Sequence, residues 1–160
     1  MTYSAVDVFL AVHRALLFVR EEPPNSNAGQ AVEAFQRGSG GKKGDSWCMD
    51  LQHHVGYSAF GSHWPLPRNG SCQETYDFAA RHGITVLPEG LQPGDLLVFW
   101  HEKDQRFGHV AAIQAVKGAH GFPTVEGNTN TNGSSNGWGT FEKYRTPGPH
   151  DRGIRWSTYL

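Results

Sequence analysis

The hydrophobic period of the chain changes near its middle. Up to His82 the apolar residues recur every three or four positions, which is typical of amphipathic helices. After Gly90 they stand in short continuous runs rich in Leu, Val and Phe, which is typical of strands. The pattern therefore predicts a mostly helical first half followed by a β-rich second half.

The first helix is predicted over Ser4–Phe18, where Ser4 can cap the first turn of an amphipathic segment. Pro23 and Pro24 cannot continue it, because proline removes amide donors and disfavours helix in the residue before it. A short second helix is predicted over Gly29–Phe35.

Two further helices are predicted from their starting signals. Asp45 or Ser46 can cap a helix that runs through Cys48, which then lies in the first turn. Ser71-Cys72-Gln73-Glu74 matches a capping box, and the helix that follows should end at Gly83.

The β-rich half begins with two strands, and a turn over Gly118–Pro123 should lead into a third that pairs with the second as a hairpin. We predict a loop over Thr129–Gly139, because only Trp138 in it can pack. The predicted strands are Asp95–Trp100, His109–Val116 and Thr124–Asn128, with Phe141–Arg145 and Ile154–Tyr159 as closing strands.

Length and composition limit the class of protein. The 160 residues correspond to one domain, 1–160, and 20 glycines with nine prolines stay below the roughly 25–30% typical of disordered chains. The formal net charge of -1 offers no basic excess for a nucleic acid or an anionic membrane. We expect a monomer with no nucleic-acid partner.

The sequence indicates neither a membrane anchor nor a secretory leader. No apolar run approaches the ~18–20 residues that cross a bilayer, and the segment 5–19 lacks a positive leader and a small-residue cleavage site. Cys48 and Cys72 could form at most one bridge. We therefore expect two reduced thiols in a protein that is synthesised in the cytoplasm without a signal peptide.

Cys48 is a candidate nucleophile. A helix N-terminus presents oriented amides and about half a positive charge, which favour a thiolate. The alternative is a buried small hydrophobic residue, a common role of free cysteine. Cys72 has no partner that the sequence identifies, so a structural role is expected for it.

His109 begins a predicted buried strand, where it is either a general base or a core histidine bonded to a backbone carbonyl. Glu126 and Asn128 lie two residues apart, so on a regular strand both point to one face, roughly opposite His109. Either could orient the imidazole, or both could be polar residues at a hairpin end. A cysteine, a histidine and an acid in this order suit nucleophilic catalysis.

Five segments carry a resemblance to a known family. In order and approximate spacing, the chain resembles the CHAP amidohydrolases/peptidases, a branch of the papain-like, NlpC-like superfamily of peptidoglycan hydrolases. The segments are Glu22-Pro23-Pro24-Asn25-Ser26-Asn27, Trp47-Cys48, Pro93-Gly94-Asp95-Leu96-Leu97-Val98-Phe99, Gly108-His109-Val110 and Val125-Glu126-Gly127-Asn128.

The resemblance implies an α+β, papain-like fold in which N-terminal helices pack on an antiparallel β-sheet. It makes Cys48 the nucleophile, His109 the base, Glu126 the orienting residue and Asn128 a supporting polar residue. It also gives Pro93-Gly94-Asp95 the role of a turn that feeds a core strand.

The chain departs from this family around the cysteine. Met49, Asp50 and the polar residues 52–54 stand where small and apolar residues are usual, and Asp50 should oppose ionisation of a nearby thiol. Some relatives bind calcium through acidic residues upstream of the cysteine. Only Asp45 is present there, so we expect no metal and no cofactor.

The resemblance implies hydrolysis of a peptidoglycan amide, either as an N-acetylmuramoyl-L-alanine amidase or as a cross-link endopeptidase, through a thioester on Cys48. Alternatives are a non-catalytic cell-wall-binding module of the same fold and an amidase or acyltransferase with another substrate. Aromatic residues that could stack on sugars in such a module are Trp64, Trp100 and Trp138.

A metal site is a third class of reading, because several residues are of metal-ligand types. The tandem His53-His54 would point to different faces of a helix, and the spacing resembles no compact zinc pattern. The residues concerned are Cys48, His53, His54, Cys72 and His82.

The partner expected from the resemblance is bacterial peptidoglycan, with no separate wall-binding domain. Such a protein would reach the wall after release by phage lysis or through a secretion apparatus. In the second case an immunity protein would be a further partner.

Overall fold

The computed structural model describes residues 2–132, 134 and 136–160. The α-helices of this part precede its strands, and these strands form one antiparallel sheet with the helices packed on it. The expected α+β class is confirmed.

The helices begin close to their predicted positions. The Ser4 side chain and Asp7 form a capping box at the first helix, and the Ser71 side chain accepts from the Glu74 amide at the fourth. The helices are α1 Ala5–Ala15, α2 Gln30–Gly38, α3 Cys48–Phe60 and α4 Cys72–Arg81. Short 3-10 turns cover Gly61–His63, Pro88–Gly90 and Trp156–Tyr159.

The third helix lacks the cap that the sequence suggests. Neither Asp45 nor Ser46 caps it: Trp47 is the N-cap residue and makes no side-chain cap hydrogen bond. The Asp45 carboxylate instead accepts from the Lys42 amide at 2.9 Å, which explains why it does not serve α3.

The strands lie in the order β1-β6-β2-β3-β4-β5. The predicted hairpin is present, because β3 pairs with β4 and Gly118 exchanges backbone hydrogen bonds with Gly121 at its turn. The strands are β1 Thr85–Val86, β2 Leu96–His101, β3 Arg106–Ile113, β4 Phe122–Thr129, β5 Gly139–Arg145 and β6 Arg152–Ile154. In the loop predicted over Thr129–Gly139, residues 133 and 135 lie outside the described part.

The last predicted strand, Ile154–Tyr159, is wrong beyond Ile154. Only Arg152–Ile154 joins the sheet, and Trp156–Tyr159 forms a 3-10 turn. The apolar signal there comes from packing: Trp156 is fully buried, and its indole donates to the Gly94 carbonyl at 2.6 Å.

Apolar side chains cover both faces of the sheet. On β2, Leu96 and Val98 face the helices, whereas Leu97 faces a smaller cluster on the other side. The turn at Pro93-Gly94-Asp95 feeds this strand as expected: Gly94 has a φ of 90°, and buried Asp95 pairs with Arg155 at 2.8 Å. The ion pair between Asp95 and Arg155 therefore fixes the start of β2, the strand that pairs with β3.

Helix α3 packs so closely against Trp64 at Gly56 that no side chain fits at this position. A Cβ there would overlap the indole ring of Trp64, which is itself 4% exposed. At Gly38, the last residue of α2, a Cβ meets no described atom within 4 Å.

These two glycines give a matched pair of substitutions. We expect Gly56→Ala to lower the free energy of unfolding by about 1–3 kcal/mol, because the indole must be displaced. Gly38→Ala should be neutral or stabilising by up to about 1 kcal/mol, because alanine favours helix. Urea unfolding of both variants measures the difference, and equal effects would contradict the packing described.

Candidate active site

Cys48 is the first residue of α3 and is 3% exposed. A hydrogen bond with Cys72 is the largest cause that lowers the pKa of the thiol, against burial, and His109 and the Met49 amide of the helix start lower it further. Cys48 therefore lies in the first turn of a helix, as predicted.

His109 lies on β3 and is 2% exposed. Its Nε2 is 2.8 Å from the Glu126 Oε2 atom. Its Nδ1 makes no hydrogen bond to a described residue. Burial lowers the pKa of the ring, but Cys48 and Glu126 raise it by more, so the thiol is near enough to act on the imidazole. The imidazole is thus bonded to the Glu126 carboxylate through Nε2, and its Nδ1 is left unbonded.

Glu126 is a fully buried carboxylate on β4 with several donors. Arg145 on β5 contacts both oxygens, with Nε 2.6 Å from Oε1 and Nη2 2.5 Å from Oε2. The Thr124 hydroxyl donates to Oε1 at 2.8 Å. The carboxylate is held on both sides, so it can fix the ring of His109 in one orientation.

The charges of this group favour an ion pair between thiol and imidazole. Burial lowers the pKa of His109, but hydrogen bonds and attraction to Cys48 and Glu126 outweigh it and raise the pKa to about 9. A hydrogen bond from Cys72 holds the pKa of Cys48 well below its usual value, with His109 acting in the same direction against burial. Burial raises the pKa of Glu126, yet Arg145 and His109 bring it to about 2.

Asn128 does not share the arrangement expected from regular strand alternation. It has a φ of 53°, and the register between β4 and β5 shifts between Glu126 and Thr129. Its side chain is fully buried, and neither amide atom has a hydrogen-bond partner among the described residues. Glu126, and not Asn128, accepts the hydrogen bond from the Nε2 of His109.

Cys72 lies beside the candidate nucleophile, which its isolated place in the sequence did not suggest. The two sulfur atoms are 3.8 Å apart. Both residues line an open cavity of about 560 Å³, whose walls also include residues 39–41, residues 68–71 and the start of β3. In addition to the structural role expected for it, Cys72 therefore lowers the pKa of the Cys48 thiol.

Asp50 lies in the wall of the same cavity, two residues after Cys48, and is 1% exposed. Burial is the main cause that raises its pKa to about 7, and repulsion from the Cys48 thiolate adds to it. The two negative charges therefore disfavour each other, as expected. The effect is seen mainly as the raised pKa of Asp50, because Cys72 and His109 keep the pKa of the Cys48 thiol low.

The start of α3 is held against β4 by an indole. A Cβ at Gly127, between Glu126 and Asn128, would come within 2.7 Å of the Trp47 ring, so the glycine permits this close packing. The Trp47 indole donates to the buried Glu21 carboxylate at 2.7 Å. Cys48 follows Trp47 directly, so this contact places the cysteine beside the strand of Glu126.

Two other kinds of site were considered from the sequence: a metal site and aromatic residues that stack on sugars. Within residues 2–132, 134 and 136–160, no group of three His, Cys, Asp or Glu residues is arranged to hold a metal. His53 instead accepts from the Trp64 indole at 3.0 Å in the core. Trp64 is buried and cannot stack on a sugar, whereas Trp100 and Trp138 are half-buried.

No helix in the described part of the chain is long and apolar enough to cross a bilayer. A comparison of the chain with protein-family models, with curated proteins and with solved structures finds no match.

Removing the charge of Glu126 and removing that of Arg145 should shift the pKa of His109 in opposite directions. Glu126→Gln removes the anion that stabilises the imidazolium and leaves the Arg145 cation nearby, so the pKa of His109 should fall and the pKa of Cys48 should rise, each by roughly 1–3 units. Arg145→Gln removes a cation, so the pKa of His109 should rise. Ultraviolet titration of the thiolate and NMR titration of the imidazole measure both shifts.

The exposed Glu89 provides the control. Glu89→Gln should leave both titrations where they are in the wild type. Shifts of the same sign in the Glu126 and Arg145 variants would contradict the electrostatic arrangement described above.

Proposed function

We propose that the protein is a cysteine-dependent amidohydrolase that cleaves an amide bond of bacterial peptidoglycan. The observation that carries this proposal is the thiol–imidazole–carboxylate series of Cys48, His109 and Glu126. The Nε2 of His109 is bound to a fixed carboxylate at 2.8 Å, and its Nδ1 remains for the thiol. This order of groups suits a nucleophile, a base and an orienting acid.

The first half of the proposed reaction acylates the cysteine. The Cys48 thiolate attacks the amide carbonyl carbon, and the resulting oxyanion accepts a hydrogen bond from the Cys48 amide at the start of α3. Protonated His109 gives its Nδ1 proton to the leaving nitrogen, and the C–N bond breaks. A thioester on Cys48 and a free amine result.

The second half releases the acid. Neutral His109 takes a proton from water, the hydroxide attacks the thioester carbonyl, and the C–S bond breaks. Glu126 stays ionised throughout, because Arg145 and His109 hold its pKa at about 2. Its role is to orient the ring and to stabilise the imidazolium, so it is a positioning residue.

The cavity beside Cys48 supports a peptide-containing substrate. Its volume of about 560 Å³ falls in the range of small-molecule sites, roughly 300–1,000 Å³. Both signs of charge line it, from the acidic residues Asp45, Asp50 and Glu74 and the basic residues Arg68 and Arg106. Such a lining suits a ligand with both carboxylates and ammonium groups, as in the peptide stems of the wall.

The choice of peptidoglycan among amide substrates depends on the resemblance to the CHAP amidohydrolases/peptidases. The five segments quoted for that family include every residue of the thiol–imidazole–carboxylate series. We accordingly propose the cell wall as the partner, reached by phage lysis or by a secretion apparatus.

The first test is lysis of purified cell walls. We expect Cys48→Ala to abolish lysis, because no other group at that position can form the thioester, while circular dichroism stays unchanged. His109→Gln should lower the rate by at least about 100-fold. The matched variant His120→Gln, at an exposed histidine, should be as active as the wild type. Undiminished lysis by a folded Cys48→Ala protein would refute the mechanism.

The second test identifies the bond that is cut. Mass spectrometry of the digested wall should show new amino termini: L-alanine for an amidase, or a residue within the cross-link for an endopeptidase. Wall binding without released fragments under reducing conditions would contradict the proposal and favour a binding module.

A further inference from the structure

The Cys48 sulfur lies 3.8 Å from a second sulfur, that of Cys72. Each cysteine is the first residue of its helix, α3 or α4, and neither is in a disulfide. Both line the cavity of about 560 Å³, so a small solute can reach them although their side chains are largely buried. The proposed hydrolysis uses only one of these thiols.

We propose that Cys48 and Cys72 form an oxidisable dithiol, in which a peroxide attacks at Cys48 and Cys72 resolves the product into an intramolecular disulfide. In the first step the Cys48 thiolate attacks one oxygen of hydrogen peroxide, the O–O bond breaks, and a sulfenic acid and hydroxide form. In the second, the Cys72 thiolate attacks the Cys48 sulfur, the S–O bond breaks, and hydroxide leaves. Two thiols and one peroxide give one disulfide and two waters.

The two thiols differ in a way that assigns their roles. Cys48 has the helix start and His109 beside it, so its thiolate is the species that a peroxide meets at neutral pH. The hydrogen bond to Cys48 and burial raise the pKa of Cys72 well above its usual value. Cys72 therefore stays protonated while Cys48 is an anion.

Oxidation of Cys48 weakens this bias. A sulfenic acid is uncharged, so the repulsion that the Cys48 thiolate exerts on a Cys72 anion disappears. Burial and Asp50 still raise the pKa of Cys72, and the Arg106 guanidinium, which also lines the cavity, still lowers it. Cys72 is thus easier to ionise once Cys48 has been oxidised.

The spacing is suitable for a bond after a small movement. A disulfide joins its sulfurs at about 2.05 Å, so the pair at 3.8 Å must approach by less than 2 Å. Both residues lie in first helical turns, where side-chain rotation and a slight shift of α4 can supply this. The disulfide removes the nucleophile reversibly, and it prevents further oxidation of Cys48 to a sulfinic acid.

The test is peptide mapping after peroxide treatment. The reduced wild-type protein is freed of reductant, treated with equimolar hydrogen peroxide, alkylated and digested. We expect a cross-linked peptide pair containing Cys48 and Cys72, a mass lower by two hydrogens, and recovery of both free thiols with dithiothreitol. Separate peptides with a sulfinic acid on Cys48, or a cross-link between two molecules, would overturn the proposal.

Two variants assign the steps. In Cys72→Ser, dimedone should trap a sulfenic acid on Cys48, and longer exposure should give a sulfinic acid that dithiothreitol does not reduce. In Cys48→Ser, Cys72 should react with peroxide at least about tenfold more slowly than Cys48 does in the wild type, because the reactive thiolate is absent. Equal rates would overturn the assigned order. Circular dichroism checks the fold of each, and the wild-type map decides the proposal if either variant is unfolded.

This mapping does not depend on hydrolysis. A protein that forms the cross-link but leaves cell walls intact would refute the proposed function alone. A protein that lyses walls but forms no cross-link would refute the dithiol alone.

Discussion

A buried carboxylate is the constraint on which the arrangement around Cys48 depends. An anion in a protein interior is costly unless it is paired and hydrogen-bonded. Glu126 meets this requirement with Arg145, Thr124 and His109, drawn from three adjacent strands. Strands β3, β4 and β5 must therefore keep their register, since a shift would leave the charge without a donor.

The second requirement is that the start of α3, with Cys48, lies close to His109 on β3. Sheet and helix meet where Trp47 packs over Gly127, and the buried Glu21 carboxylate fixes the indole. Glu21 also accepts from the Asn27 amide at 3.0 Å, which ties the proline-containing segment after α1 to the same point. The first quarter of the chain thus contributes to the site without supplying a reacting group.

Local signals predicted the elements and the order of the site residues better than their long-range partners. The hydrophobic period and the capping residues gave α1, α4 and the β3–β4 hairpin, which is enough to bring His109 and Glu126 together. Arg145 was missed, because the register between β4 and β5 is set by packing that the sequence does not display. Thr124 could have been found, since it lies two residues before Glu126 on one strand.

The surroundings of Asn128 and Cys72 could not be predicted from spacing along the chain. Asn128 was placed by strict alternation, which its positive φ interrupts. The sequence identified no partner for Cys72, because it does not show that the starts of α3 and α4 bring two cysteines 24 positions apart together. Spacing within an element is predictable, whereas the approach of two elements depends on the whole core.

The Trp47 start of α3 also affects the balance between local stability and reactivity. A serine or aspartate there would add about 1 kcal/mol by accepting from the first amides of the helix. The indole of Trp47 accepts no hydrogen bond from these amides, so they remain able to stabilise a thiolate on Cys48 or an oxyanion on the substrate. The least stabilised turn of the helix is therefore the one best prepared for negative charge, and a more stable helix start would be a less reactive one.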